Sequence, residues 1–404
     1  MNFKMNKNRN SNLNIDLISG FGSNFNSISE FNPRLSLSLK RNKKSDYPDY
    51  RIASGCAVFG ILDESGKTFS GSRILEGISV MHDRSNGFGA GFAGYGIYPE
   101  YAEDWAFHIL YDDNIVRKKV EEILKDSFQV VYGEEIPVRK ISSMVNPPII
   151  FRYFIELKEN NIKLKENGNE ILENSENETD FKTNEENFIV DFVMKVNGLV
   201  EGAYIISSGK NMGIFKGVGF PEDIGNFYKI DEYKGYLWTA YDRFPTNSIG
   251  WWGGAHPFGL LGWSVVHNGE ISSYGRNQRF IGDFGYKCTL LTDTEVIAYM
   301  FDLLFRKNGI DIELLNLIFA APFWEQIERI PEEKKQIAKA LRIIYGGALI
   351  NGPFSIIVGH NNFIYALNDR IKLRPLVAAR KDNLLFISSE ESAIKKVCKN
   401  PDDV

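Results

Sequence analysis

The hydrophobic pattern divides the chain sharply at residue 56. Residues 1–55 are rich in Asn, Ser and Lys and show no apolar periodicity, so we expect a disordered leader there. After Cys56 an apolar run extends from Ala57 to Leu62 and ends at the polar turn Asp63–Gly66. Such a run predicts a buried β-strand. The sequence therefore predicts that the folded part of the protein begins at Cys56.

Two contrasting patterns follow this first predicted strand. Apolar residues at helical spacing predict a helix over Ser72–Asp83. Glycines then alternate with other residues from Gly87 to Gly96. This run lacks the Lys-Ser/Thr ending of a phosphate-binding loop, and its alternation favours a strand that packs closely against another backbone.

Residues 102–200 predict a separate small α+β unit. Amphipathic patterns predict helices over Asn114–Phe128 and Phe188–Leu199, and an apolar run predicts a strand over Ile149–Leu157. Residues 158–187 interrupt this unit with repeated Asn, Glu and Lys. Such a segment buries too little apolar surface to become ordered, so we expect a disordered surface insertion.

Strand and turn patterns return from Gly202 to the C-terminus. Apolar runs such as Gly262–His267 and Phe354–Gly359 predict strands. A helix is predicted over Asp293–Arg306, where acidic residues in the first turn precede an apolar face. We expect one large domain over residues 56–398, with the 102–200 unit inserted into it, and a short tail over 399–404.

Composition narrows the class of protein. The 404 residues are 43% hydrophobic, and the net charge is −5 with a pI near 5.7, which argues against nucleic acid or an anionic membrane as a partner. No apolar run approaches a membrane span or a signal-peptide core. The three cysteines are Cys56, Cys288 and Cys398, which give neither a disulfide framework nor a metal-binding pattern. We therefore expect a cytoplasmic protein without a metal site.

Cys56 is the strongest candidate for a reactive residue. If the chain is cleaved between Gly55 and Cys56, the cysteine becomes the N-terminus, and its free α-amine can take the thiol proton. The leader would then be a removable pro-segment. Two alternatives stay open: Cys56 is a plain buried core cysteine, or the leader is a permanent tail that leaves the cysteine without its amine.

Three polar clusters elsewhere supply what an acyl-transfer site needs in addition to a nucleophile. Each one lies at the end of a predicted strand or at the start of a predicted helix: Asp242–Asn247, His267–Glu270 and Leu291–Glu295. Arg243 can bind a carboxylate through two parallel hydrogen bonds, and Asp293 can pair with an ammonium group. Asn268 and Gly269 can donate hydrogen bonds to a developing oxyanion. Taken singly, Arg243 also suits a surface ion pair and Asp293 a helix cap. Asn268 and Gly269 also suit a hairpin turn.

Taken together, these motifs resemble a known family. The Gly55–Gly60, Arg243–Asn247, His267–Glu270 and Thr292–Glu295 runs are similar to those of class II, or N-terminal nucleophile, glutamine amidotransferases. The match extends from Gly55 to about Cys398. More closely, several runs resemble the stand-alone archaeal-type glutamine amidotransferase subunit of glutamate synthase; these are Arg84–Gly87, Tyr95–Pro99, Trp251–Phe258, Asp369–Leu376 and Ser388–Glu390.

The resemblance implies a four-layer αββα sandwich in the α+β class. It also implies that Cys56 is the nucleophile, that Asn268 and Gly269 form the oxyanion hole, and that Arg243 and Asp293 bind the carboxylate and the amine of glutamine. Hydrolysis of glutamine would then release ammonia to a separate glutamate synthase subunit. We expect no cofactor in this chain, and FMN and iron–sulfur clusters on partner subunits.

The sequence departs from the family at one informative position. Related amidotransferases carry a histidine two residues before the arginine, where this chain has Tyr241. Three other functions stay open: a phosphoribosyl-pyrophosphate or sugar-phosphate amidotransferase, a different N-terminal-nucleophile amide hydrolase, and a non-catalytic regulatory or scaffold subunit. The hydrolase has no evident need for both Arg243 and Asp293, whereas the non-catalytic subunit needs no processing at Cys56.

Overall fold

The computed structural model of the protein describes residues 2–4, 55–158, 178–244, 250–361 and 363–404, with only the backbone of 2–4 and 178–182. Most of the predicted leader over 1–55 lies outside the described residues. So do positions 159–177 of the predicted disordered insertion and positions 245–247 of the run that starts at Arg243. The leader does contain one described element, a short strand at Asn2–Lys4.

Antiparallel strands form most of the core. In chain order they are β1 Asn2–Lys4, β2 Ala57–Asp63, β3 Phe69–Ser70, β4 Ala90–Tyr95, β5 Trp105–Tyr111, β6 Phe128–Glu135, β7 Ile149–Leu157, β8 Ala203–Lys210, β9 Met212–Gly217, β10 Lys234–Gly235, β11 Leu237–Asp242, β12 Phe258–Leu260, β13 Trp263–Gly269, β14 Phe354–His360, β15 Phe363–Asn368, β16 Val377–Lys381 and β17 Leu384–Ser388.

Helices lie between these strands. They are α1 Ser72–Ser79, α2 Asn114–Ser127, α3 Glu178–Leu199, α4 Pro221–Phe227, α5 Tyr274–Gly282, α6 Asp293–Phe301, α7 Ile312–Phe319, α8 Trp324–Glu328, α9 Glu332–Ile344 and α10 Glu391–Val397. A π-helical segment, Asp302–Lys307, continues α6. Short 3₁₀ turns occupy His82–Arg84, Pro99–Tyr101, Ile230–Glu232 and Gly346–Ala348.

Two sheets stack face to face at the centre. The six-stranded sheet has the order β16-β17-β2-β11-β4-β9, and the five-stranded sheet has the order β1-β15-β14-β13-β12. Strand β2 packs against β13, β14 and β15 of the facing sheet. A side chain at Gly60 would collide with Ile364, which shows how closely the two sheets approach at this point.

Helices cover the outer faces of both sheets. Helices α1 and α10 pack against each other, and α1 lies on β2 and β11, while α6 lies on β12 and β13 of the other sheet. The central strand β2 is buried along its whole length. This helix–sheet–sheet–helix layering confirms the predicted αββα sandwich.

A four-stranded sheet of order β6-β7-β5-β8 forms a smaller unit beside the sandwich. Helix α2 contacts β5, β6 and β8, and α3 packs on β8. Phe107, Phe128 and Phe192 pack together in its core. Its fourth strand, Ala203–Lys210, lies beyond residue 200, where the sequence pattern placed the end of this unit.

Helix α3 begins at Glu178, ten residues before the predicted start at Phe188, so the prediction of disorder was wrong for residues 178–187. The polar residues at this end make specific contacts. Glu185 accepts a hydrogen bond from the Trp105 indole at 2.5 Å, and Asn187 accepts one from Arg306 at 2.8 Å. Hydrophobic periodicity cannot signal a helix end that is held by polar contacts of this kind.

We expect Asn197→Ala to weaken the smaller unit. The buried Asn197 amide donates to the Ile205 carbonyl at 3.0 Å and accepts from the Ile205 N–H at 2.7 Å, which ties α3 to β8. Because truncation leaves two buried backbone groups without a partner, the free energy of unfolding should fall by roughly 2–4 kcal/mol. Urea unfolding measures the change.

The exposed Asn400 offers a matched control, and Asn400→Ala should change stability by less than about 0.5 kcal/mol. Equal stability of the Asn197 and Asn400 variants would contradict the proposed role of Asn197 in joining helix and strand.

Candidate active site

Strand ends from both central sheets meet around Cys56. The cysteine directly precedes β2, and Ala57 pairs with Asp242 at the end of β11. Strand β13 of the facing sheet ends at Gly269, and helix α6 begins at Asp293. The antiparallel register therefore brings four segments that are distant in sequence to one edge of the sandwich.

A cavity of about 250 Å³ lies between these segments. Its lining residues are Cys56, Tyr241, Arg243, Phe244, His256, His267, Gly269, Glu270, Ile271, Tyr274, Leu291, Thr292 and Asp293. Four of the five predicted site residues are among them, and Asn268 is the exception. Within the described residues, no cluster of three or more His, Cys, Asp or Glu side chains has the geometry to hold a metal ion.

The Cys56 sulfur is buried and accepts hydrogen bonds from two donors. The Tyr241 hydroxyl donates to it at 2.7 Å, and the Phe244 backbone N–H donates at 3.4 Å. Burial raises the pKa of the Cys56 thiol above its ordinary value, although both donors and the positive charges of Arg243 and Arg374 oppose this effect. The thiolate form of Cys56 is therefore stabilised only to the extent that these donors and charges offset the effect of burial.

Tyr241 and His256 form a stacked pair beside the sulfur. Their ring centroids are 3.9 Å apart, and both side chains are almost completely buried. Burial holds the pKa of His256 well below its usual value, so the ring is neutral. Sequence reasoning found Tyr241 only as a departure from the family and assigned nothing to His256. The sequence does contain a signal for Tyr241: it lies two residues before Arg243 at the end of a strand, so the two side chains point to the same face.

Arg243 follows β11 and is only 3% exposed. Its backbone N–H donates to the Gly89 carbonyl at 2.9 Å, and its carbonyl accepts from the Ser85 hydroxyl at 2.9 Å. Gly89 has a φ of +152°, and a Cβ there would lie 3.0 Å from the Arg243 Cδ atom. The glycine-rich run after Arg84 therefore packs directly against the arginine that lines the cavity.

Asp293 lines the cavity from the first turn of α6. Its Oδ2 accepts from the Ile271 N–H at 2.9 Å, and its Oδ1 lies 3.7 Å from Nδ1 of His267. Burial acts to raise the pKa of Asp293, but His267 and these hydrogen bonds outweigh it, so the pKa lies below its ordinary value. Asp293 is therefore an anion near neutral pH, and His267 contacts it from β13.

Asn268 and Gly269 occupy the end of β13 in different ways. Gly269 has a φ of +149°, and a Cβ at this position would lie 2.0 Å from the Pro353 carbonyl oxygen, so the backbone geometry requires glycine. The buried Asn268 side chain donates to the Ser389 hydroxyl at 3.3 Å. That hydroxyl also accepts from the Val58 N–H at 3.1 Å. Asn268 is thus held beside the start of β2, close to Cys56.

Two arginines flank the Gly55–Cys56 backbone. Arg84 donates to the Cys56 carbonyl at 3.3 Å and forms an ion pair with Glu390 at 2.6 Å. A Cβ at Gly55 would lie 3.4 Å from a guanidinium nitrogen of Arg84 and 3.6 Å from one of Arg374. Sequence reasoning assigned no role to these three charged residues, because their separation along the chain hides their proximity.

We expect Gly269→Ala to disrupt this edge of the sandwich. Because the methyl group would overlap the Pro353 carbonyl and the left-handed backbone would be strained, the free energy of unfolding should fall by roughly 2–5 kcal/mol. Gly282, at the end of α5, has open space around it, and Gly282→Ala should be neutral or stabilising. Urea unfolding of both variants tests this, and equal effects would contradict it.

We also expect stability to depend on pH through Asp242. Both of its carboxylate oxygens are buried, and the nearby Ser85 hydroxyl and Arg243 backbone N–H offset this burial only in part. Burial raises the pKa of Asp242 to about 8 from an ordinary 3.8, so the folded chain holds a proton that the unfolded chain releases. Since the folded state binds more protons, this group lowers stability as pH rises through that window.

Asp242→Asn removes this titration. Its stability relative to the original chain should therefore rise by roughly 4–5 kcal/mol between pH 4 and pH 8, as measured by urea unfolding at several pH values. A difference that stays constant over this range would show that the Asp242 carboxyl does not take up a proton on folding.

Comparisons with known proteins identify relatives of this chain. Residues 116–283 match the family model for class II glutamine amidotransferases. A protein of Archaeoglobus fulgidus, described as uncharacterized, is 48% identical over 367 residues, which cover 90% of this chain and 92% of that protein. A Methanothermobacter thermautotrophicus protein named "Putative glutamine amidotransferase" is 23% identical over 349 residues, which cover 85% of this chain and 93% of that protein.

Among solved structures, the glutamine phosphoribosylpyrophosphate amidotransferase of B. subtilis aligns with 85% of this chain at 14% identity and a TM-score of 0.39. The alignment spans 43% of that chain, so this protein matches less than half of its length. Nearly full-length identity of 48% places this chain and the Archaeoglobus protein in one family. Within the chain, residues 116–283 match the class II glutamine amidotransferases, and this match covers less than half of the chain.

Proposed function

We propose that this chain, once cleaved before Cys56, hydrolyses glutamine to glutamate and ammonia through a cysteine thioester. One observation carries the proposal: Cys56, Arg243, Gly269 and Asp293 line a single cavity of about 250 Å³. That volume lies at the small end of ligand pockets and suits an amino acid better than a nucleotide.

The two charged residues support an amino-acid substrate. The Arg243 guanidinium offers a planar, two-bond partner for the α-carboxylate, and the ionised Asp293 offers a partner for the α-ammonium. Because both charged groups are largely buried, a zwitterion that satisfies both should bind better than an amide with only one of the two charges. The side-chain amide of glutamine would then reach the Cys56 sulfur.

The reaction would proceed in two stages. The thiol proton passes to the freed α-amine of Cys56, the sulfur attacks the amide carbon, and the oxyanion binds the Gly269 N–H and the Asn268 amide group. The amine returns the proton to the departing nitrogen, and ammonia leaves. Water then hydrolyses the γ-glutamyl thioester and restores the thiol. In this scheme the Asn268 amide group must turn away from Ser389 to reach the oxyanion.

We further propose that the ammonia is delivered to a separate, cytoplasmic glutamate synthase subunit that carries FMN and iron–sulfur clusters. Support comes from the resemblance of the Arg243–Asn247 and Trp251–Phe258 runs to the stand-alone amidotransferase subunit of that enzyme. Adding such a subunit and 2-oxoglutarate to the processed chain should make glutamate synthesis depend on glutamine. A synthase subunit that gains no activity from this chain would argue for another ammonia acceptor.

The first test is the chain that the cell produces. Intact mass and N-terminal sequencing should show a chain starting at Cys56, and this form should release ammonia from glutamine. Cys56→Ala should abolish turnover, whereas Cys398→Ser changes another buried thiol and should leave it intact. A processed chain without turnover would favour the non-catalytic regulatory subunit.

Substrate analogues separate a glutaminase from other amide hydrolases. The processed chain should prefer glutamine roughly 10-fold to 100-fold over analogues that lack either the α-carboxylate or the α-amine, because each leaves one buried charge unpaired. Arg243→Gln should lose the preference for the carboxylate alone, and Asp293→Asn the preference for the amine alone. If both variants keep the substrate preference and the rate of the unmodified chain, Arg243 and Asp293 do not bind the carboxylate and the amine.

A further inference from the structure

Tyr241 makes the shortest contact with the sulfur of Cys56. Its hydroxyl oxygen lies 2.7 Å from Sγ, and the side chain is 2% exposed. The second donor, the Phe244 N–H, approaches the same sulfur at 3.4 Å. The sulfur is thus an acceptor for two donors that both come from the end of β11 and the residues after it.

The surroundings fix the direction of the hydrogen bond. Burial and the neighbouring sulfur hold the pKa of Tyr241 well above its usual value, so the phenol keeps its proton at every pH of interest. The His256 ring covers one face of the phenol at 3.9 Å and limits its movement. A protonated phenol can donate to the sulfur, and a thiolate, which has no proton, can only accept from it.

We propose that Tyr241 is a catalytic residue, whose hydroxyl donates a hydrogen bond to the Cys56 sulfur and stabilises the thiolate that attacks the substrate, with His256 positioning the phenol. Only the identity of the attacked molecule rests on the proposed glutaminase function. Tyr241 transfers no proton; the thiol proton goes to the α-amine, and the hydrogen bond favours the charged sulfur over the neutral one.

The same hydrogen bond should act twice in one turnover. It stabilises the thiolate before the S–C bond forms and again when that bond breaks and water has released the acyl group. In the thioester between these steps the sulfur is a poor acceptor, so the hydrogen bond weakens there. The contribution of Tyr241 therefore appears in the chemical steps rather than in substrate binding.

Other charged and titratable groups face the same sulfur and must be held constant in any test. They are Arg243, His256, His267, Glu270, Tyr274 and Asp293 around the cavity, Arg84, Arg374 and Glu390 beside the Gly55–Cys56 backbone, and the α-amine after cleavage. Because a variant at Tyr241 shares all of them with the unmodified chain, the difference in thiol pKa between the two isolates the hydroxyl.

The test measures the alkylation rate of Cys56 by iodoacetamide between pH 5 and pH 11, in the processed full-length domain, with the label located by mass spectrometry. Tyr241→Phe should raise the thiol pKa by roughly one to two units and slow alkylation about 10-fold to 100-fold below both pKa values. Tyr241→His retains a donor and should show a smaller rise. In glutamine turnover, Tyr241→Phe should lower kcat and leave KM within about threefold.

Tyr95→Phe is the matched control. Tyr95 is a fully buried tyrosine on the neighbouring strand β4, and its hydroxyl contacts Ser264 and Gly359 rather than Cys56. An unchanged thiol pKa in Tyr241→Phe, or an equal rise in Tyr95→Phe, would overturn the proposal. Alkylation needs no glutamine, so a processed chain that shows the pKa shift without turnover refutes the proposed function and leaves the hydrogen bond established.

Discussion

The antiparallel pairing of β2 with β11 is the constraint on which the site depends. This register sets Ala57 opposite Asp242, so Cys56 lies beside the residues that flank the end of β11. Because side chains alternate between the faces of a strand, a slip of one residue would turn Tyr241 away from the sulfur. The close packing of β2 fixes this register, since the same slip would place a larger residue where Gly60 now meets Ile364. The packing of the core and the geometry of the site therefore depend on the same strand register.

Close approach of backbones supports the same arrangement. Gly60 lets the two sheets meet, Gly89 lets the glycine-rich run reach Arg243, and Gly269 lets β13 end against Pro353. These contacts hold the strand ends, and the segments next to them, around the cavity. The same packing also buries charged groups. His267 and the Ile271 N–H keep the buried carboxylate of Asp293 ionised.

Local apolar patterns predicted many of the strands and helices, whereas the layers of the fold and the meeting of the segments at the cavity were expected from the resemblance to a known family. The apolar run after Cys56 and the glycine at 269 carry information about burial and backbone geometry in their residue types alone. The start of α3 at Glu178 and the stacking of Tyr241 on His256 were not predictable in this way. Each depends on a polar or aromatic partner far along the chain, and one sequence does not show which residues meet. The roles assigned to Arg243, Asn268 and Asp293 remain proposals for the same reason.

In the proposed mechanism, burial places opposing demands on Cys56. Burial would strengthen electrostatic contacts with a substrate, but it also raises the pKa of Cys56 and depletes the thiolate. A cationic partner such as a protonated histidine could offset this, although its charge would vary with pH. A buried tyrosine offers a weaker but constant donor, since it neither gains nor loses charge near neutral pH. In the proposed mechanism, with Tyr241 at this position, the amine freed at Cys56 would act as the base, and the thiolate would depend on fixed donors rather than on a second titrating group.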